Sequence, residues 1–238
     1  MKRWGHMAKT FTKIGKEITI AVKQGGPDVV GNSRLRALMA EARSENMPKD
    51  NIEKAIKRAL EKNQGDFKEV VFEGYGPHGI AYLVETATDN NTRTVANVRS
   101  YFTKCGGSLG TSGSVSFMFD HKCVFRIKYQ EGMDLDELQL ALCECDDDPE
   151  VFIEEQEDKD ENITKNVVIY GAYESYGAIQ KYIEDNGYEL VSGGFERIPN
   201  VDLKDVTPEQ RETLDKLTGL LEDDDDVTNV YNTLKPAE

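Results

Sequence analysis

CVFRIKYQEGMDLDELQLALCECDDDPEVFIEEQEDKDENITKNVVIYGAYESYGAIQKYIEDNGYELVSGGFERI, residues 123–198, is the stretch that decides the fold. Val124-Phe125-Arg126-Ile127 is a short β-branched and aromatic run and reads as a strand. Leu135–Cys145 carries apolar residues at helical spacing. Strands follow near Val151–Glu154 and Val167–Tyr170, then a helix over Ser175–Asn186. A last strand starts near Glu189–Val191 and runs on to Arg197-Ile198. The order is β-α-β-β-α-β, the ferredoxin-like pattern.

Working outward, the flanks spell the same pattern again. A strand (80–86), a helix (92–104) and a strand (115–119) precede the stretch. A strand (Val201–Leu203), a helix (Pro208–Leu221, capped by Thr207) and a strand (Val227–Tyr231) follow it. Val70-Val71-Phe72 is a further strand outside either pattern. The expected class is therefore α+β and multidomain. An N-terminal three-helix bundle is followed by two ferredoxin-like βαββαβ domains, one inserted into the other. The expected boundaries are 1–64 for a basic helical domain, 65–120 plus 200–238 for a discontinuous α+β domain, and 121–199 for the inserted one.

The N-terminal helices follow from periodicity. Phe11, Ile14, Ile18, Ala21 and Val22 fill one arc of a helix over Ala8–Gln24, and Lys9, Lys13, Lys16 and Lys23 fall on the opposite arc. Ile20 breaks the pattern by sitting among the lysines. Gly25-Gly26-Pro27 ends the helix. Asn32 or Ser33 caps a second helix that buries Leu35, Leu38, Met39 and Ala42. Pro48 suits the first turn of a third, which buries Ile52, Ala55, Ile56, Ala59 and Leu60. Lys62-Asn63-Gln64-Gly65 reads as a linker.

Charge is distributed unevenly. The net −15 resolves into +7 over residues 1–64, +1 over 65–130 and −23 over 131–238. A basic head on an acidic body points to a polyanion partner for the head. Lysine on the outer face of a helix is ordinary surface when taken singly. Together, Lys9, Lys13, Lys16, Lys23, Arg34, Arg36, Arg43, Lys49, Lys54, Lys57 and Arg58 make a candidate phosphate-binding set.

Other chemistries find little footing. The four cysteines (Cys105, Cys123, Cys143, Cys145) form no C-x-x-C pair and read as reduced thiols. His6, His78 and His121 are isolated, and His78 reads as a turn residue. The acidic runs 154–158 and Asp223–Asp226 read as solvated faces. Gly106-Gly107-Ser108-Leu109-Gly110-Thr111-Ser112-Gly113 lacks a Gly-Lys-Ser/Thr ending and follows a helix, so a flexible connection is the better reading than a phosphate loop. Neither an apolar run long enough to span a bilayer nor a signal-peptide pattern is present. The expectation is a cytoplasmic, non-enzymatic protein with no cofactor, no metal and no small-molecule substrate, of unspecified oligomeric state.

Several ordered motifs then resemble one family. They are Phe11-Thr12-Lys13 with Glu17-Ile18, Gly25-Gly26-Pro27-Asp28, Asn32-Ser33-Arg34-Leu35-Arg36 and Asn46-Met47-Pro48-Lys49-Asp50-Asn51-Ile52. Further on come Glu73-Gly74-Tyr75-Gly76-Pro77, Thr88-Asp89-Asn90-Asn91-Thr92-Arg93-Thr94 and Gly106-Gly107-Ser108-Leu109-Gly110. Together they resemble the YebC/PmpR family from about residue 9 onward. That resemblance implies a helical domain plus two α+β domains, and a nucleic-acid-binding regulator. Two partners stay open. A DNA-binding transcriptional regulator would use the second and third helices in a helix-turn-helix-like way. A ribosome-associated factor, aiding translation of proline-rich sequence, would set the basic head on rRNA. It would also use loops 74–79, 88–94 and 106–113, with Arg93 and Arg99, against RNA backbone or tRNA.

Overall fold

A computed structural model describes residues 2–61, 66–157 and 163–237. The expected linker Lys62–Gly65, Asp158 of the first acidic run and the side chain of His6 lie outside the described residues. The chain divides into two compact units. The first comprises residues 1–20, 57–120 and 197–238, and the second comprises 21–56 and 121–196.

Three helices open the chain: α1 (Lys2–Gly25), α2 (Ser33–Ser44) and α3 (Lys49–Leu60). Helix α1 passes from the first unit into the second after Ile20, and α3 passes back after Ile56. Gly26 ends α1 with φ +83°, a conformation that glycine adopts without cost. Asn32 caps α2 by accepting from Leu35 N–H, and its amide donates to the carbonyls of Ala21 and Gly26 at 2.8 Å each. One buried side chain thus closes the end of α1 and the start of α2. Only residues 45–48 separate α2 from α3, with Asn46 in the left-handed region at φ 58° and Met47 buried.

The first unit is built on β1 (Lys68–Tyr75), β2 (Ala81–Thr88), α4 (Asn91–Lys104), β3 (Ser108–Leu109), α7 (Pro208–Glu222) and β8 (Val227–Asn232). The sheet order is β3-β1-β2-β8, with antiparallel neighbours. Strand β2 is central and covered on both faces, as its near-continuous apolar run requires. Tyr82 and Val84 join Phe72, Val98, Phe102, Leu214, Leu217 and Val227 in one cluster, while Ala81 and Leu83 meet Val115 and Phe119 on the other face. Tyr82 and Phe102 pack edge to face, and the Tyr82 hydroxyl reaches Thr218 at 3.2 Å.

Two of the strands expected from the sequence do not form in this sheet. Val201–Leu203 is no strand; an isolated bridge between Lys204 and Leu234 is all that forms nearby. The place expected for it between the first and second strands of the pattern belongs to β1, which pairs residue for residue with β2 over eight positions. A long hairpin with matched register outcompetes a three-residue segment with two apolar side chains. Residues 115–119 likewise form a short 3-10 turn (Ser116–Met118) leading into a strand that begins at Phe119. The outer strand is instead the two-residue β3, whose closeness to β1 needs glycine: a Cβ on Gly107 would lie 2.5 Å from the Tyr75 carbonyl oxygen.

The second unit holds most of β4 (Phe119–Lys128), α5 (Leu135–Leu142), β5 (Glu150–Glu157), β6 (Ile163–Ala172), α6 (Tyr176–Asp185) and most of β7 (Leu190–Pro199), with residues 119–120 and 197–199 counted in the first. The order β5-β6-β4-β7 is that of a ferredoxin-like sheet. Its core gathers Cys123, Phe125, Ile127, Val167, Ile169, Leu138, Leu142, Ile179 and Ile183, to which α2 adds Ala37. On the other face Arg126 bridges Glu154 and Glu196, and Tyr170 donates to Glu196 at 2.7 Å. Within the first unit, Asn200 donates to the Met118 carbonyl and to Asp120, tying the chain together where residues 121–196 leave and return.

Candidate nucleic-acid interface

The site begins with α1. Ile14 and Ile18 are buried as the apolar arc requires, but so is Ile20 among the lysines. The lysine arc is therefore covered over Lys9, Lys13 and Lys16, while Lys23 at its far end is exposed. Lys9 pairs with Asp223 at 2.7 Å, Lys13 donates to the Glu222 carbonyl at 2.9 Å, and Lys16 reaches both Asp226 and the Asp225 carbonyl at 2.7 Å. Lys13 thus caps the C-terminal end of α7, where unsatisfied carbonyls and the helix dipole favour cations, and Lys9 and Lys16 hold the segment that follows it. Burial lowers the pKa of Lys13, against the pull of Glu222.

Asp226 is the hub. It is 4% exposed, so the expectation of a solvated Asp223–Asp226 run fails at this residue. Its carboxylate accepts from Lys16, from Arg93 Nη2 at 2.6 Å and Nε at 3.2 Å, from Thr94 at 2.9 Å and from Thr88 at 3.3 Å. Burial alone would raise its pKa, but the hydrogen bonds from Lys16, Arg93 and Thr94, with the Lys16 charge, hold it at about 2. Asp224 accepts from Asn97 and from the Tyr101 hydroxyl; burial and this bond push Tyr101 up to about 12. Around these groups lies an open cleft of about 520 Å³, lined also by Thr12, Asp89 and an Arg58–Phe67 stack with guanidinium and ring 4.4 Å apart.

The remaining basic residues differ in exposure. Arg93 also pairs with Asp89, and about half its side chain stays exposed. Arg36 pairs with Glu184 at 2.5 Å and donates to the carbonyls of Val29 and Val30. Arg34 donates to Gln24. Lys23, Arg43, Lys49, Lys54, Lys57 and Arg99 are exposed, with Lys49 near Glu53 at 3.5 Å. On α3, Lys54 and Lys57 point away from buried Ile52 and Ala55.

The glycine loop also differs from the flexible connection expected. Buried Glu73 accepts from the backbone N–H groups of Gly113, Val115 and Ser116 at 2.7–2.8 Å. The last residue of the loop, Gly113, and the two donors just beyond it are thus held by a carboxylate of the same unit. Burial would raise the Glu73 pKa, and these backbone bonds lower it. His78 sits in a tight turn at φ 63°, and His121 stacks on Tyr173 at 4.3 Å. Among the described residues no group of three or more His, Cys, Asp or Glu could hold a metal ion, and no helix is long and apolar enough to cross a membrane.

These features define a helical N-terminal segment with outward basic side chains, followed by two four-stranded α+β modules. The chain belongs to the TACO1/YebC family. Residues 1–62 match the TACO1/YebC protein N-terminal domain, and residues 67–234 match the TACO1/YebC second and third domain. A relative from Parabacteroides distasonis is 59% identical over 98% of this chain and 92% of its own length. One from Bacteroides thetaiotaomicron is 58% identical over 100% of this chain and 93% of its own. Each is named a probable transcriptional regulatory protein. The crystal structure of a conserved hypothetical protein from Aquifex aeolicus matches with a TM-score of 0.77 and 32% identity, over 97% of this chain and 91% of that one.

Proposed function

We propose that the protein is a cytoplasmic, nucleic-acid-binding regulator of transcription that meets phosphate backbone through the outward face of α3. One observation carries the placement. Helix α3 follows α2 after a four-residue turn, buries Ile52 and Ala55, and leaves Lys54 and Lys57 exposed on its far side. A second helix so presented can be laid against a duplex. Arg43, in the last turn of α2, and Lys49, at the start of α3, extend the charge. The names of the relatives support a regulatory role, and the function is binding, with no catalytic step. Phosphate contacts of this kind set position and leave sequence choice to other groups.

Ribosomal RNA offers the same phosphate chemistry, so the partner is decided by identifying it. Cross-linking in cells, followed by sequencing of the attached nucleic acid, is expected to recover DNA near promoters. Recovery of rRNA alone would replace transcription with translation as the regulated process. Recovery of neither would end the proposal.

A further inference from the structure

We infer that Lys9 and Lys13 form a second polyanion site, masked by the acidic segment Glu222–Asp226 of the same unit. This rests on the nucleic-acid reading above and adds to it an internal competitor. The segment presents to α1 what a phosphate backbone would present: anionic oxygens and carbonyls at hydrogen-bond distance from lysines spaced 9, 13 and 16 along one helix face.

The mask has a fixed end and an exchangeable end. Lys16 and Asp226 have side chains only 11% and 6% exposed, and Arg93 and Thr94 hold the same carboxylate. At the other end, Lys9 and Asp223 are 37% and 76% exposed, and Lys13 donates to a main-chain carbonyl. An incoming polyanion can take Lys9 and Lys13 by displacing exposed partners, whose hold water and salt already weaken, and leave the Asp226 hub intact. The segment follows α7 directly, so the covalent chain keeps it at high local concentration over the lysines. Free polyanion must therefore outcompete a tethered one.

The test compares full-length protein with D223N/D225N, titrated with a short fluorescein-labelled DNA duplex and with RNA of the same sequence. The double variant removes exposed charge and leaves Asp224 and Asp226 in place. Affinity is expected to rise several-fold, and the log–log salt slope to steepen by roughly 1–2 as the two lysines gain phosphates. Adding K9Q/K13Q should cancel the gain. The control E212Q/D215N changes net charge equally on exposed positions of α7 and should give a clearly smaller gain. Equal affinity and slope in all forms, or the same gain from the control pair, would overturn the mask while leaving the α3 proposal standing. Binding by none of the forms would overturn the nucleic-acid reading and the mask together.

Discussion

Asp226→Asn should be among the most damaging single charge changes on this molecule, and its cost can be worked from the hub. The carboxylate is nearly buried and serves Lys16, Arg93, Thr94 and Thr88. Two unit charges about 4 Å apart interact by about 4 kcal/mol at an effective dielectric near 20. The cleft is open on one side, and Arg93 stays with Asp226 when Lys16 is lost. Both effects reduce the Lys16–Asp226 coupling to about 1–2 kcal/mol. Removing Asp226 costs more, because two cations then face each other, and unpaired buried charge typically costs about 3–5 kcal/mol. Asn keeps the size and one acceptor, so about 2–3 kcal/mol is expected. The titration argues the same way. A carboxyl held at about 2 instead of 3.8 corresponds to about 2.5 kcal/mol, or about 2 after allowing for screening at the cleft mouth. The folded-state pKa is depressed, so this stability is complete above about pH 4 and lost as pH falls toward 2. Urea unfolding of wild type, K16M, D226N and the double variant, followed by circular dichroism at neutral pH, measures each cost and the coupling. A coupling below about 0.3 kcal/mol, or a D226N protein within about 0.5 kcal/mol of wild type, would refute the hub.

Glu73→Gln should destabilise the first unit by about 2–4 kcal/mol, because the amide oxygen can serve only the backbone donors on its own side and the NH₂ group opposes those on the other. Hydrogen exchange should then rise first at Gly113, Val115 and Ser116; unchanged exchange there would show that the carboxylate does not hold the loop. Ile18→Ala should cost about 2–5 kcal/mol in thermal or urea unfolding, since Ile18 is fully buried, and Ile20→Ala should cost a comparable amount despite lying on the lysine arc. A neutral Ile20→Ala would return that arc to solvent.

The helices were legible because their periodicity is local. Thr207 with Gln210 makes the capping box that starts α7, and Asn90 caps α4 by accepting from Arg93 N–H. The second sheet was legible because its elements follow one another in the chain. Sheet one was harder. Its third-position strand, β1, comes first in sequence, and Val201-Asp202-Leu203 mimics a strand while Val201 and Leu203 stay about 40% exposed. The covered lysine arc was the least legible feature. Lys16 and Asp226 are 210 residues apart, beyond any sequence window. Ile20 was the one local sign, an apolar side chain that a solvated face does not need. The acidic run supplied the complementary charge, but nothing in the sequence joined the two.

Binding of nucleic acid by the outward face of α3 can be read in one titration. Wild type and K54Q/K57Q are titrated with the same labelled DNA duplex over a range of salt, with thermal melting measured alongside. Gln is a comparable helix former, and both side chains face away from Ile52 and Ala55, so melting should not change. Affinity should fall across all duplex sequences, and the log–log salt slope should become shallower by roughly 0.9 for each phosphate that is no longer neutralised. Unchanged affinity and slope in a normally folded K54Q/K57Q protein would contradict binding at this face.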